Sequence, residues 1–275
     1  MSKISDSLNH KNIVCPFCSL HCDDLEIDVH DNKLYVKSNV PKSCAYKYEK
    51  LNLPKFKNMV TTVKGKPCEP KKAYQYSKQL IKKSKETVLL NSSSDVNVTR
   101  EVLSAASKVN AIVDHVNSSI FLKNISIYQR RGYMATSLTE IKNKSDIIIV
   151  FSNNLFETYP RLMDKFLATK NSFSVNSKKK EIYVIGNKKN NIKNCNIRDK
   201  RITYIDYNNR NITKLLNSFI SKKNETSISN KVFNKLLTSI ETSKYLSVLW
   251  ATSEFDSYRE CDEIIYNISA YVVSL

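Results

Sequence analysis

The feature that most constrains the fold is an alternation of short apolar runs with segments of helical periodicity, which begins at Pro70. The run 146–151 is almost entirely apolar, as is typical of a parallel strand buried on both faces. Strands that alternate with helices predict an α/β fold with a doubly wound, mostly parallel sheet. The predicted strands are 88–90, 111–113, 146–151, 181–185, 202–205 and 246–250. One predicted helix begins at Pro70, and the others cover 98–109, 160–168, 212–220, 231–243 and 260–268.

The amino-terminal part of the chain has a different pattern. Apolar residues alternate with polar ones over 25–29, and a short apolar segment, 34–36, follows a polar turn. This period of two across a turn predicts a β-hairpin. A polar stretch over 51–67 then predicts a connection. We therefore predict two domains, a small subdomain over 1–60 that carries a cysteine cluster and the hairpin, and the α/β domain over 61–275.

Composition excludes several classes of protein. The 275 residues include 41% apolar side chains, so the chain does not have an intrinsically disordered composition. Only three glycines are present, and no phosphate-binding loop of the G-x-G-x-x-G or P-loop type can be written. The longest apolar run, 147–151, is far shorter than the ~20 residues of a membrane helix. The first ten residues lack the apolar core of a signal peptide. These features predict a cytoplasmic location and no membrane partner.

The chain is strongly basic. Its 44 Lys and Arg residues exceed its 26 Asp and Glu residues, which gives a net charge of +18 at pH 7. The cations are mostly lysines scattered along the chain, whereas a nucleic-acid-binding protein favours clusters that contain arginine and aromatic residues. We therefore interpret them as solvated surface charges and predict no nucleic-acid partner. A basic surface is also suited to docking acidic partner subunits or a polyanionic carrier.

The strongest local signal is a cluster of cysteines. Cys15, Cys18 and Cys22 have the spacing C-x2-C-x3-C, and 21 residues separate Cys22 from Cys44. Three thiolates within eight residues and a distant fourth suit a [4Fe–4S] cluster, whereas structural zinc usually takes its ligands as two separated pairs. His21 is an alternative ligand within the loop. Zinc, and buried thiols retained after a site was lost, remain alternatives, because spacing shows the capacity for a site and not its occupancy.

Two further residues are candidates for binding a cofactor. Asp114 lies at the carboxyl end of a predicted strand, where open α/β sheets bind their ligands. Arg161 follows Pro160 at a predicted helix start, where it would present a cation and backbone N–H groups to an anion. A hydrogen-bonded structural carboxylate and ordinary helix initiation are the structural alternatives. Asp23 and Asp24, directly after the cluster, are predicted to cap a turn or to pair with lysine.

The segment 14–25, with the sequence VCPFCSLHCDDL, resembles the amino terminus of the B-type subunit of formylmethanofuran dehydrogenase and of the related formyltransferase/hydrolase complex, in the molybdopterin oxidoreductase family. Further similar segments extend the resemblance over most of 12–190; they are 63–67, 90–94, 112–118, 132–150 and 154–161. The resemblance implies an amino-terminal subdomain that binds an iron–sulfur cluster through C-x2-C-x3-C and a fourth cysteine. It also implies a subunit of a complex in the one-carbon metabolism of methylotrophy, in which formaldehyde is oxidised to formate.

The sequence departs from the family pattern at the metal position. In the redox-active members, a cysteine that binds molybdenum or tungsten, followed by a histidine, occupies the positions that align with Ile120 and Phe121. Hydrocarbon side chains cannot hold a metal. The resemblance therefore predicts a redox-inactive structural subunit with no catalytic residue and no molybdenum or tungsten pterin. Partner subunits would transfer the formyl group from a tetrahydromethanopterin-type carrier and hydrolyse it to formate.

Family members continue through a further cofactor-embracing region, so we expect a chain truncated at its carboxyl terminus and an α/β domain that is incomplete relative to the family. Two other functions remain open on the sequence alone. One is the redox-active catalytic subunit of a formylmethanofuran dehydrogenase with a molybdenum or tungsten pterin. The other is a basic nucleic-acid-binding protein with a zinc knuckle, which a steep salt dependence of oligonucleotide binding would reveal.

Overall fold

A computed structural model describes the protein over residues 8–31, 33–52, 60–91, 95–132, 134–169, 180–195 and 199–275. The strands in these ranges are β1 (Leu8–Ile13), β2 (Leu25–His30), β3 (Lys33–Val36), β4 (Thr62–Val63), β5 (Lys66–Pro67), β6 (Val88–Asn91), β7 (Ile112–His115), β8 (Ile147–Ser152), β9 (Glu181–Gly186), β10 (Ile202–Asp206) and β11 (Leu246–Leu249). The α-helices are α1 (Lys42–Leu51), α2 (Pro70–Lys83), α3 (Val96–Val109), α4 (Ser118–Arg131), α5 (Leu138–Lys144), α6 (Leu155–Thr158), α7 (Lys188–Cys195), α8 (Ile212–Ser221), α9 (Asn230–Thr242) and α10 (Cys261–Ser274). Shorter elements are a π-helical turn at Met163–Leu167 and 3-10 turns at Asn209–Asn211 and Thr252–Glu254.

The centre of the fold is a four-stranded parallel sheet with the strand order β10, β9, β8, β11. Ile149 of β8 pairs with Tyr183 of β9 on one side and with Val248 of β11 on the other. All six residues of β8 are buried. Successive side chains of a strand point to opposite faces of its sheet, so the unbroken apolar sequence of β8 requires cover on both faces.

The two faces of this sheet form two separate cores. Ile149 and its alternate neighbours in β8 pack with helices α8, α9 and α10. Ile148 and Val150 point to the opposite face and pack with α5, α6, α7 and the π-helical turn. The predicted α/β fold with a doubly wound, mostly parallel sheet is thereby confirmed. Within the described residues, no helix is long and apolar enough to cross a membrane.

The amino-terminal region forms a three-stranded antiparallel sheet in the order β1, β2, β3. The predicted hairpin is present as β2 and β3, in which Val29 pairs with Leu34. The sequence pattern does not predict β1 or α1, because the sequence of β1, LNHKNI, is mostly polar and because α1 buries only Tyr48. Leu25, Ile27 and Tyr48 are the buried core of this region.

Contacts divide the chain into two compact units, one of Met1–Asn52 with Lys123–Leu275 and one of Leu53–Leu122. Within the second unit, β6 and β7 form a parallel two-stranded sheet of their own. The sequence predicts a single sheet, whereas the structure divides the parallel strands between two sheets, because alternation along the chain does not determine which strands become neighbours. The predicted domain boundary near residue 60 stays a prediction.

The unit Leu53–Leu122 exposes much apolar surface. Among its described residues only Ala106 is buried. The exposed apolar side chains on its helices and strands are Tyr74, Leu80, Ile81, Val88, Leu90, Val96, Val98, Leu103, Val109, Ile112, Val113, Phe121 and Leu122. Parallel strands are normally covered on both faces, and apolar patches above a few hundred Å² mark interfaces or aggregation sites. The described residues of this unit therefore leave exposed many apolar side chains that a fully covered sheet would bury.

We predict that the isolated chain aggregates through this surface and that co-expression with partner subunits keeps it soluble. Replacing Leu90 and Ile112 by threonine should reduce the aggregation measured by light scattering, because both side chains are more than half exposed. As a control, Val150→Thr places a hydroxyl without a partner in the buried strand β8, at a cost of roughly 1–3 kcal/mol. The control should lower the midpoint of thermal unfolding without reducing aggregation. A monomeric unmodified chain with a sharp thermal transition would contradict the prediction.

Candidate metal site at the cysteine cluster

A hydrogen-bonded loop brings three of the cysteines together. The backbone N–H of Cys15 donates to the carbonyl of Cys22 at 2.8 Å, and the N–H of His21 donates to the carbonyl of Cys18 at 3.2 Å. His21 has a φ of +43°, near the left-handed region that tight reversals use. The C-x2-C-x3-C segment therefore folds as a closed loop with Cys15 and Cys22 at its two ends.

Cys44 joins this loop from a different element. It lies in the first turn of α1, and its backbone N–H donates to the carbonyl of Pro41 at 2.8 Å. Cys44 lines the same cavity, of about 20 Å³, as Cys15, Cys18 and Cys22. The other residues that line the cavity are Phe17, Leu20, Leu25, Val40, Lys47, Tyr48, Pro160 and Arg161. The structure thus brings together all four cysteines that the sequence indicates as metal ligands.

Burial favours the protonated form of two of these thiols. Burial raises the pKa of Cys22, and the nearby Arg161 guanidinium opposes part of that rise. Burial also raises the pKa of Cys44, where Lys47 opposes it. A metal takes cysteine as the thiolate, so binding at this cavity would release protons and would be favoured by the two cations.

The donor atoms fit a soft metal or an iron–sulfur cluster, because four cysteines surround one cavity and thiolates are the ligands that such groups prefer. Among the described residues, no three His, Cys, Asp or Glu side chains already stand at the spacing of metal ligands. The four sulfurs would therefore have to rearrange around an incoming group. His21 is exposed and does not line the cavity, so the geometry favours the four cysteines over this histidine as ligands.

A cluster of ion pairs lies beside the cavity. Arg161 donates through Nη1 and Nη2 to the two carboxylate oxygens of Asp24, both at 2.8 Å, and through Nε to Asp164 at 3.4 Å. Lys165 reaches Asp24 at 2.9 Å and Asp23 at 3.6 Å. Hydrogen bonds from Arg161 hold the pKa of Asp24 well below its usual range. The prediction that the two neighbouring aspartates pair with lysine is confirmed, whereas the pairing of Asp24 with Arg161 was missed.

Arg161, which the sequence indicates as an anion-binding residue, is thus engaged by carboxylates of its own chain. The helix predicted over 160–168 is present only as the shorter π-helical turn Met163–Leu167, and α6 ends before it at Thr158. Pro160 lacks the backbone N–H that a continuation of α6 would need. Arg161 therefore lies in the connection between two short elements, and its role in binding a cofactor stays a prediction.

Asp114, the other predicted cofactor-binding residue, lies near the carboxyl end of β7 in the unit Leu53–Leu122. Its carboxylate accepts a hydrogen bond from the backbone N–H of His115 at 2.7 Å. Hydrogen bonds from Ser118 and from this N–H lower the pKa of Asp114. Ile120 and Phe121 follow in the first turns of α4, where Ile120 is half-buried and Phe121 is exposed. These contacts of Asp114 are local, and its role in binding a cofactor also stays a prediction.

The sequence is similar to known proteins over part of its length, although no protein-family model matches it. The B-type subunit of the tungsten-containing formylmethanofuran dehydrogenase 2 of Methanococcus maripaludis is 26% identical over 162 residues, and its counterpart in Methanocaldococcus jannaschii is 26% identical over 167 residues. This chain is similar to the B-type subunits of formylmethanofuran dehydrogenases. The resemblance predicted from the cysteine segment and its companion segments is thereby confirmed. Each match covers 57% of this chain and 37% of the relative.

A solved structure shares the fold. A chain of the formyltransferase/hydrolase complex FhcABCD from Methylorubrum extorquens, determined in complex with methylofuran, matches with a TM-score of 0.60 and 16% sequence identity. The match covers 77% of this chain and 56% of that chain. At this identity it shows the fold alone. Because the chain spans only 37% of the length of its curated relatives, the activities of those whole proteins are hypotheses for this chain.

Proposed function

We propose that this chain is a B-type subunit of a formyltransferase/hydrolase complex in the one-carbon oxidation of formaldehyde to formate, and that it is a redox-inactive structural subunit. The similarity to the B-type subunits of formylmethanofuran dehydrogenases supports the first part. One observation carries the second part. Ile120 and Phe121 are hydrocarbon, and the family resemblance aligns them with the metal-binding cysteine and the histidine of the redox-active members.

The residues at this position do not fit a molybdenum or tungsten centre. Ile120 and Phe121 lie in α4, and neither side chain carries a nitrogen, oxygen or sulfur atom that binds a metal. The curated relatives, in contrast, are named as tungsten-containing enzymes. A protein tunes and holds a redox cofactor through the ligands it supplies, and at the aligned position this chain supplies none.

The cysteine cavity is the proposed site of a [4Fe–4S] cluster. Cys15, Cys18 and Cys22 would provide three ligands from the closed loop, and Cys44 would provide the fourth from α1. A bound cluster would supply one-electron transfer and four covalent anchors. The amino-terminal region has only a small core of its own, so these anchors would contribute a large share of its stability.

Companion subunits would perform the chemistry, which is transfer of a formyl group from a tetrahydromethanopterin-type carrier and its hydrolysis to formate. The net charge of +18 supports docking to acidic subunits. The exposed apolar surface of the unit Leu53–Leu122 supports a permanent partner. We assign no catalytic residue to this chain, and we propose that it acts in the cytoplasm without a nucleic-acid or membrane partner.

Elemental analysis tests the redox-inactive role. The complex, purified from its native host through a tag on this chain, should contain no stoichiometric molybdenum or tungsten. It should also fail to reduce an artificial electron acceptor with a formylated carrier as the donor. Ile120→Cys should change neither result, because one added thiol supplies a ligand but no pterin site. Bound metal, or reduction of the acceptor by the unmodified complex, would show a redox-active formylmethanofuran dehydrogenase subunit instead.

Metal content tests the cysteine site. Chain prepared without oxygen should be brown and should bind about four iron atoms. Cys18→Ser should lose the iron and lower the midpoint of thermal unfolding. The control Cys261→Ser should keep the iron, because this buried cysteine lies outside the cavity. Bound zinc in place of iron would favour the zinc alternative. A colourless chain with neither metal would show that the four cysteines are a vestigial set of thiols.

A further inference from the structure

A two-pronged ion pair joins the cysteine loop to the connection between α6 and the π-helical turn, which lies against the central sheet. Asp24 lies directly before β2 and two residues after Cys22. Arg161 lies 137 residues further along the chain, and only 10% of its side chain is exposed. Its two terminal nitrogens meet the two oxygens of Asp24 at 2.8 Å each. This fork-to-fork geometry fixes orientation as well as distance.

The two partners are anchored in the same core. Leu162, which directly follows Arg161, is buried in the core on the Ile148 face of the sheet. Leu20 and Cys22 of the cysteine loop are buried in that core as well. Apolar packing thus brings the loop to this face of the sheet. Packing alone is not directional, whereas the ion pair at the end of the loop is a directional contact between the loop and this face.

Arg161 also faces the cysteines, since it is one of the residues that line their cavity. Lys165 provides Asp24 with a second cation at 2.9 Å, so the carboxylate keeps a point-charge partner when Arg161 is altered. The Asp24 side chain is 42% exposed, and solvent screening leaves a partly exposed ion pair little net stability. The specific contribution of Arg161 is therefore the orientation that its planar, two-pronged contact imposes.

We propose that Arg161 is a positioning residue for the cysteine site, and that its two-pronged hold on Asp24 fixes the end of the loop so that Cys22 faces the same cavity as Cys44. The inference deepens the proposed function, because it rests on this cavity being a cluster site. The positioning itself is measurable in the metal-free chain. The anion that Arg161 binds is then a carboxylate of its own chain.

Hydrogen–deuterium exchange of the metal-free full chain tests the positioning. Arg161→Met removes both the charge and the pair of hydrogen bonds to Asp24, whereas Arg161→Lys keeps the charge but cannot form the two parallel hydrogen bonds. We expect both variants to raise amide exchange over 15–24 by about two- to fivefold, the effect of losing one partly exposed ion pair, while exchange in β8 stays unchanged. Arg201→Met is the matched control. Arg201 also holds an aspartate, Asp199, at 2.7 Å with 18% of its side chain exposed, but it does not line the cysteine cavity.

Reconstitution with ferrous iron and sulfide gives a second readout. Both Arg161 variants should bind less iron than the unmodified chain and than Arg201→Met. If Arg161→Met does not fold, Asp24→Asn replaces it, because that change removes the charged acceptor and leaves Arg161 with Asp164.

Unchanged exchange over 15–24 in the Arg161 variants would overturn the positioning role. Exchange that rises in Arg161→Met but not in Arg161→Lys would overturn the positioning role as well, since the charge of Arg161 and not its two parallel hydrogen bonds would then be responsible. Failure of the unmodified chain to bind iron would overturn the cluster proposal instead, and the exchange data would still decide the role of Arg161.

Discussion

The burial of β8 on both faces is the constraint on which the rest of the structure depends. Each of its six residues is buried, so helices have to cover both sides of the sheet. The face that carries Ile148 and Val150 also takes Leu20 and Cys22 of the cysteine loop into its core. The candidate site is therefore built on the sheet, which gives the loop a rigid support that the small amino-terminal core does not supply.

The sequence predicts those parts of the fold that a single element decides by its own pattern. β8 and β9 are mostly apolar, as strands buried on both faces require, and this pattern indicates parallel strands in an α/β fold. The separate pairing of β6 with β7 was not predictable, because strand neighbours are set by packing between distant segments. β1 was missed because its polar sequence is held by pairing with β2 and not by an apolar face.

For the candidate site, spacing along the chain predicts local geometry and little more. Cys15 and Cys22 are close in sequence, so the C-x2-C-x3-C spacing is enough to predict that the loop between them closes. The pairing of Asp24 with Arg161 joins positions 137 residues apart. The sequence indicated a pair of carboxylates directly after Cys22 and, separately, Arg161 as an anion-binding residue. In a chain with 44 Lys and Arg residues, neither signal selects the other as its partner.

A redox-inactive B-type subunit should be found with the subunits that carry out formyl chemistry. The most direct measurement is affinity purification of the tagged chain from its native host, with mass spectrometry of the companions and an assay of formate release. We predict that defined companion subunits are recovered in fixed stoichiometry and that the complex releases formate from a formylated tetrahydromethanopterin-type carrier. Recovery of the chain alone, or of a stable complex that releases no formate from such a carrier, would contradict this function.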